Sequence, residues 1–229
     1  DDWGDPMNVA IQELDLTAGG IKVRSTSRPV KSPPAAPVKG NPVTNTTVVK
    51  PVKWWKFDEG AGAITAESVA GDKCAIEGHK SFWKQGVSGP ALAFDGYTSV
   101  IRLPAEKAPA ITDAVTLEGW VALGAYPWNW TPVVQQGHEE SYYLGVGPHG
   151  HVRMSVKVGS ELRQMDSNRP LERKRWYHVA GTCDKTSGLV RVFIDGELCG
   201  ERKIGTEGVA QSQAPLQLGK GRKMSQSNP

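Results

Sequence analysis

The sequence predicts an all-β protein, a two-sheet antiparallel β-sandwich of jelly-roll type, and three observations carry that prediction. The stretch Arg175–Gly200 alternates apolar and polar residues around a Gly-containing turn at Asp184–Gly188 and an Asp195-Gly196 turn, the signals of a β-meander. Strand-like segments recur about every 8–14 residues with turn residues between them, the spacing of a sandwich and not of βαβ units. The 26 Gly and 16 Pro leave no run longer than about ten residues with an uninterrupted helical apolar period.

Taken in order, residues 1–25 hold two weakly alternating runs, Val9–Leu16 and Ile21–Val23, around Ala18-Gly19-Gly20. They read as the end of an upstream segment and a candidate β-hairpin. Two strands alone are marginal in water, so this piece must lean on something else. Residues 26–53 carry six Pro and no aromatic residue and read as an extended, semi-rigid basic linker. Composition shifts at Trp54-Trp55, where the domain spanning residues 54–229 begins. Strands are expected at Trp54–Phe57, Cys74–Ile76, Ala91–Phe94, Ser99–Leu103, Val115–Leu123 and Pro132–Gln135. Others are expected at Tyr142–Val146, His151–Val158, Glu161–Met165, Trp176–Thr182, Leu189–Ile194 and Leu216–Leu218, with a short strand after the Asp195-Gly196 turn.

The net charge of +3 is unevenly placed. Asp1, Asp2, Asp5, Glu13 and Asp15 make the first fifteen residues acidic, whereas every charged residue from Leu16 to Val52 is basic. The remainder is close to neutral, so the basic balance belongs to a linker and solubilises it; no nucleic-acid partner is expected. No run approaches the ~18 apolar residues of a membrane helix, and the opening Asp1-Asp2-Trp3-Gly4 has no signal-peptide pattern. The chain reads as a processed or excised piece. Cys74, Cys183 and Cys199 fit no zinc spacing; Cys183 and Cys199 lie on neighbouring strands, where either a bridge or two packed thiols is open.

Five blocks in order carry a resemblance: Trp55–Gly62, Gln85–Gly96, Val115–Leu123, the pair Arg175–Asp184 with Val192–Leu198, and Pro215–Gly221. Together they resemble the laminin G-like jelly rolls of the concanavalin A-like lectin/glucanase superfamily, of the bacterial type and related to the pentraxins. The resemblance implies that His178 is a framework residue and that Cys183 and Cys199 are packed free thiols. Where the family carries an Asp-x-Ser-Gly near its first turn, this chain has Glu67–Asp72. The family's last strand has no counterpart before Pro229, which implies a fragment, or a strand supplied from elsewhere. A sandwich lacking a strand has an unpaired edge that invites a protein partner, or the run Val9–Leu16, to complete it.

Catalysis is not expected. Superfamily glucanases place paired carboxylates on one face, whereas Glu118 stands alone on its strand and Glu139-Glu140 are adjacent, pointing to opposite faces. His79, His138, His149, His151 and His178 form no convincing metal set, although His149-Gly150-His151 is a weak candidate. In Ala125–Thr131, Tyr126, Trp128 and Trp130 alternate, so an extended chain presents all three rings on one side, suited to stacking on sugar faces. Gln135, Gln136, His138 and Glu139 follow and offer polar contacts. Packing on the sandwich or a protein interface are the alternatives for these rings. The resemblance implies calcium, common in laminin G-like domains, with Asp95 and then Asp72 as its candidate ligands. Asn45 and Asn129 sit in glycosylation sequons. The sequence therefore points to a non-catalytic extracellular, cell-surface or periplasmic module binding a glycan or surface glycoconjugate. A structural or adhesive subunit, and an accessory domain of a glycoside hydrolase, stand as alternatives.

Overall fold

A computed structural model describes residues 9–18, 50–78 and 81–220. In chain order the strands are β1 (Val9–Ala18), β2 (Lys53–Trp55), β3 (Ile64–Ala66), β4 (Lys73–Glu77), β5 (Ser81–Gln85) and β6 (Pro90–Phe94). Then come β7 (Val100–Leu103), β8 (Ala114–Leu123), β9 (Thr131–Gln136), β10 (Tyr142–Val146) and β11 (His151–Val158). The last five are β12 (Glu161–Pro170), β13 (Trp176–Asp184), β14 (Leu189–Ile194), β15 (Glu197–Lys203) and β16 (Leu216–Gly219). Two single-turn 3-10 helices, Ala105–Lys107 and Pro148–Gly150, are the only helical pieces among the described residues. None is long and apolar enough to cross a membrane.

Two eight-stranded antiparallel sheets face one another. The first runs β15-β14-β13-β8-β1-β6-β5, with β2 also paired to β1; the second runs β12-β11-β10-β9-β16-β7-β4-β3. Inward positions alternate along each strand and meet in one core: Leu117, Val121 and Leu123 of β8, Val179 of β13 and Val192 of β14 oppose Ile101, Val134, Leu144, Met154 and Leu218. Phe57 and Phe94 meet edge to face at 6.4 Å. Gly219 ends β16 over the Phe94 ring, where a Cβ would come within 2.2 Å of the ring, and its φ of +74° also demands glycine.

The run expected to need support is an interior strand. β1 pairs with β8 along its length, with β6 at Val9–Ile11 and with β2 at Leu14–Leu16. Ile11 and Leu16 are fully buried, each worth roughly 1.5–3 kcal/mol of apolar burial. As the sequence suggested, the run completes the sheet, but from within: it fills the place between β8 and β6, and the sheet's edges among the described residues are β15 and β5. Ile21–Val23, the expected second arm of a hairpin, and most of the 26–53 linker lie outside the described residues. Where the chain returns at β2, Val52 donates its N–H to the Leu16 carbonyl at 2.8 Å.

That return is fixed by charge. Glu67 is fully buried and accepts the N–H groups of Trp54, Val69 and Ala70 at 2.8–2.9 Å, while Lys53 reaches it at 3.3 Å. A carboxylate buried with this many donors is satisfied. The three cysteines are buried and unpaired, and burial pushes the Cys183 thiol up to about 12, which suits an inert packing role.

Candidate functional site

One row of side chains crosses the outer face of the second sheet. In register, Arg102 opposes Gln217, Gln217 opposes Gln135, Gln135 opposes Tyr143, Tyr143 opposes Ser155 and Ser155 opposes Gln164. Directly opposed residues of antiparallel strands share a face, so six strands contribute one side chain each to a single polar line. The line floors a cleft of about 420 Å³. Because Trp130 precedes β9 and His138 follows it, the two mark opposite ends of this cleft; Arg153 and Lys220 stand with Trp130, Glu139 with His138.

The Trp130 end is a layered wall. The Arg153 guanidinium lies 3.6 Å from the Trp130 ring centroid and grips Asp166 through two hydrogen bonds of 2.6 and 2.7 Å. Gly147 backs the same ring, where a Cβ would approach to 2.7 Å. Along the floor, Gln135 donates to Gln217 at 3.2 Å, and Arg102 is ion-paired with Glu77. The Tyr143 hydroxyl is buried with no hydrogen-bond partner among the described residues, and burial raises its pKa far above the ordinary phenol value. Amides, a guanidinium and an ammonium set around an aromatic wall can exchange many hydrogen bonds with a polyhydroxylated ligand.

Of the residues singled out from sequence, the cleft gathers Trp130, His138 and Glu139, the last two with nitrogen and oxygen 3.8 Å apart. Gln136 does not face it: its side chain is buried and donates to the Ser212 and Ala214 carbonyls at 3.3 and 3.4 Å, while its neighbour Gln135 takes the groove position. The shared face expected of Tyr126, Trp128 and Trp130 does not form. The loop bends at Gly124–Ala125 and again at Trp128–Asn129, around a buried Pro127. Tyr126 lies beneath Arg173, and Trp128 stacks on Tyr97 at 6.1 Å with 16° between the rings. Arg102, Tyr143, Arg153, Ser155, Gln164, Gln217 and Lys220 carry no motif. Alternation marks them as outward, but only the order of non-consecutive strands puts them side by side.

The two carboxylates considered for calcium do not fit it. Asp95 Oδ1 accepts the N–H groups of Tyr97, Thr98 and Ser99 at 2.8–2.9 Å, and its Oδ2 takes the Thr98 hydroxyl. Partial burial would raise its pKa, but those hydrogen bonds, led by Thr98, hold it below the usual value. This is an Asx-type turn closed on itself. Asp72 is held by Lys107 at 2.8 Å and Lys53 at 3.2 Å, which lower its pKa. No cluster of three His, Cys, Asp or Glu residues suited to a metal occurs among the described residues. His149 is exposed, His151 Nδ1 lies 2.8 Å from the Ser167 carbonyl, and His79 falls outside the described residues. His178 sits on β13 against Trp120, its backbone N–H donating to Asp195 at 2.9 Å and its Nε2 3.8 Å from Glu118.

A family model described as the concanavalin A-like lectin/glucanases superfamily matches residues 95–228. No curated protein sequence matches the chain. Among solved structures, the chain is similar to the binding domain of Paraclostridial Mosquitocidal Protein 1, at 11% identity and a TM-score of 0.57 over 74% of this chain. It spans only 45% of that structure's length. It is also similar to Domain 4 of AbnA, a GH43 extracellular arabinanase from Geobacillus stearothermophilus, in complex with arabinotriose, at 18% identity and a TM-score of 0.52. There the overlap is 69% of this chain and 79% of that one. At such identities the likeness is one of fold. The family match covers more than half of the 229 residues and agrees with the two facing sheets, so this chain belongs to the laminin G-like family of the concanavalin A-like lectin/glucanases superfamily.

Proposed function

We propose that this domain is a non-catalytic carbohydrate-binding module of a larger protein working outside the cytoplasm, and that its ligand lies in the groove of the second sheet. The observation that carries this reading is the register-matched line Arg102–Gln217–Gln135–Tyr143–Ser155–Gln164 beside the Trp130 wall. Side chains that both donate and accept suit sugar hydroxyls, and an aromatic edge suits their C–H faces. The arabinotriose complex of the similar arabinanase domain supports the ligand class and an accessory role beside a glycoside hydrolase. Among the described residues Glu139 is the only carboxylate lining the groove, whereas glycoside hydrolysis uses two, roughly 5–9.5 Å apart.

Calorimetric titration against a panel of neutral and acidic oligosaccharides, arabinotriose included, tests the reading. Binding that is weakened in Gln135→Ala and more strongly in Trp130→Ala supports it. A second reading, an adhesive subunit, is favoured by the exposed rings of Tyr97, Tyr126 and Trp128 at one end of the sandwich. Silence across the panel, with self-association abolished by Trp128→Ala, would overturn the first reading in its favour.

A further inference from the structure

We infer that the groove selects an acidic oligosaccharide, whose carboxylate is met by Lys220 and Arg102; this rests on the groove being the sugar site proposed above. Five ionisable side chains of the His, Lys, Arg and carboxylate classes line it: Arg102, Arg153, Lys220, His138 and Glu139. The single carboxylate, Glu139, stands at the far end beside His138. The acids that pair with the two arginines, Glu77 and Asp166, lie outside the lining, so the charged groups facing a ligand over the Trp130 half are the Arg153 guanidinium and the Lys220 ammonium.

The three cations are not equivalent. Arg153 is committed on both sides, its planar group on Trp130 and its fork on Asp166. Arg102 meets Glu77 through Nη1, and a guanidinium carries five N–H donors in a fixed fork, so donors remain for a groove ligand. Lys220 is half-buried in the lining and follows Gly219 directly, three residues beyond Gln217 of the polar row. A neutral glycan needs neither cation, because the amides and hydroxyls of the row already serve its hydroxyls. An ammonium partly withdrawn from water is best matched by an anion, and such matching governs specificity and its salt dependence. A uronate carboxylate and a sulfate ester share this oxyanion chemistry; the planar carboxylate matches the Arg102 fork.

The wild-type protein is titrated with an oligogalacturonate, with the same oligosaccharide after reduction of its carboxyls to alcohols, and with a sulfated neutral oligosaccharide of equal length. The oligogalacturonate is expected to bind at least about tenfold tighter than its reduced form, with the preference shrinking as salt rises from about 20 to about 300 mM. Lys220→Gln, checked by melting temperature to be folded, is expected to lose most of that preference. Equal affinity for the acidic and reduced forms overturns the inference and leaves the sugar-binding reading standing. Preference for the sulfated ligand alone overturns the choice of carboxylate. No binding of any saccharide removes both readings.

Discussion

On β8 and β13 the outward positions Thr116, Glu118, His178 and Thr182 are buried, whereas on β9, β10 and β16 the outward positions Gln135, Tyr143 and Gln217 floor an open groove. Both sets face away from the same core and follow the same alternation. Their surroundings differ. The first sheet encloses β1 between β8 and β6 and carries Trp120 against His178; its outer polar groups have lost water, with His178 and Glu118 3.8 Å apart. Among the described residues nothing lies over the middle strands of the second sheet, and its row lines the cleft. One sheet thus defines the shape of the sandwich and the other offers a surface. Changes in the first should lower stability with little effect on affinity, and changes in the second should do the reverse.

The largest effect is expected at Glu67, which ties β2 of the first sheet to the turn that follows β3. Glu67→Ala leaves Lys53 buried beside only Asp72 and strips three backbone N–H groups of their acceptor. Removing one partner of a buried pair costs about 3–5 kcal/mol. For a domain of this size that is a fall in melting temperature of roughly 6–20 °C. Leu16→Ala, which empties a fully buried site on β1, should cost about 2–5 kcal/mol. Calorimetry on the folded fraction of either variant should return wild-type affinity for the groove ligand. A large loss of affinity at matched folding would show that the two sheets are not separable.

The converse test is Trp130→Ala. Removing the ring leaves Arg153 held only by Asp166 and opens the wall of the groove. Truncating a dominant aromatic contact costs about 2 kcal/mol or more of binding, so glycan affinity should fall by more than about thirtyfold. Gln135→Ala, which removes one amide from the row, should weaken binding by about fivefold to tenfold. Melting temperatures distinguish these losses from unfolding.

How much of this was legible in the sequence follows the range of the interactions. Strands such as Val115–Leu123 and Trp176–Thr182 declare themselves by alternation and by the Asp195-Gly196 turn, signals local to the chain. Ile64–Ala66 and Ser81–Gln85 are short and carry no such pattern, and only their neighbours β4 and β6 make them strands. Val9–Leu16 reads as a strand, but its place between β8 and β6 depends on partners about 80–110 residues away. The groove fails to show for the same reason: Gln135 and Gln217 meet across 82 residues of chain. The Tyr126–Trp130 expectation failed because period-two reasoning assumes an extended backbone, and Pro127 is buried in a loop that bends on both sides of it.

Acid provides a smaller, graded way to load the first sheet. Burial lowers the pKa of His178 below its ordinary 6.5, an effect the nearby Asp195 only partly opposes. The unfolded chain therefore binds a proton that the folded chain resists, and stability rises with pH across that interval. The contribution is fully present above about 6.5 and is lost as pH falls from there toward the folded value. Melting temperature should drop between pH 7 and pH 5, and less so in His178→Asn. Asp72 and Asp95, both held below 3.8, add their losses only in stronger acid. A wild-type profile that His178→Asn leaves unchanged would place the acid sensitivity elsewhere.

The smallest effect on the groove is expected from Trp128→Ala, and it bears most directly on the comparison. Trp128 is 41% exposed and rests on Tyr97, itself 41% exposed, at the end of the sandwich and away from the polar row. Its removal costs one exposed aromatic pair, at most about 0.5–1.5 kcal/mol. Glycan affinity should stay within about twofold of wild type, because neither ring lines the groove. A loss equal to that of Trp130→Ala would mean that the ligand runs past Lys220 onto the loop end, and that the binding surface is not confined to the second sheet.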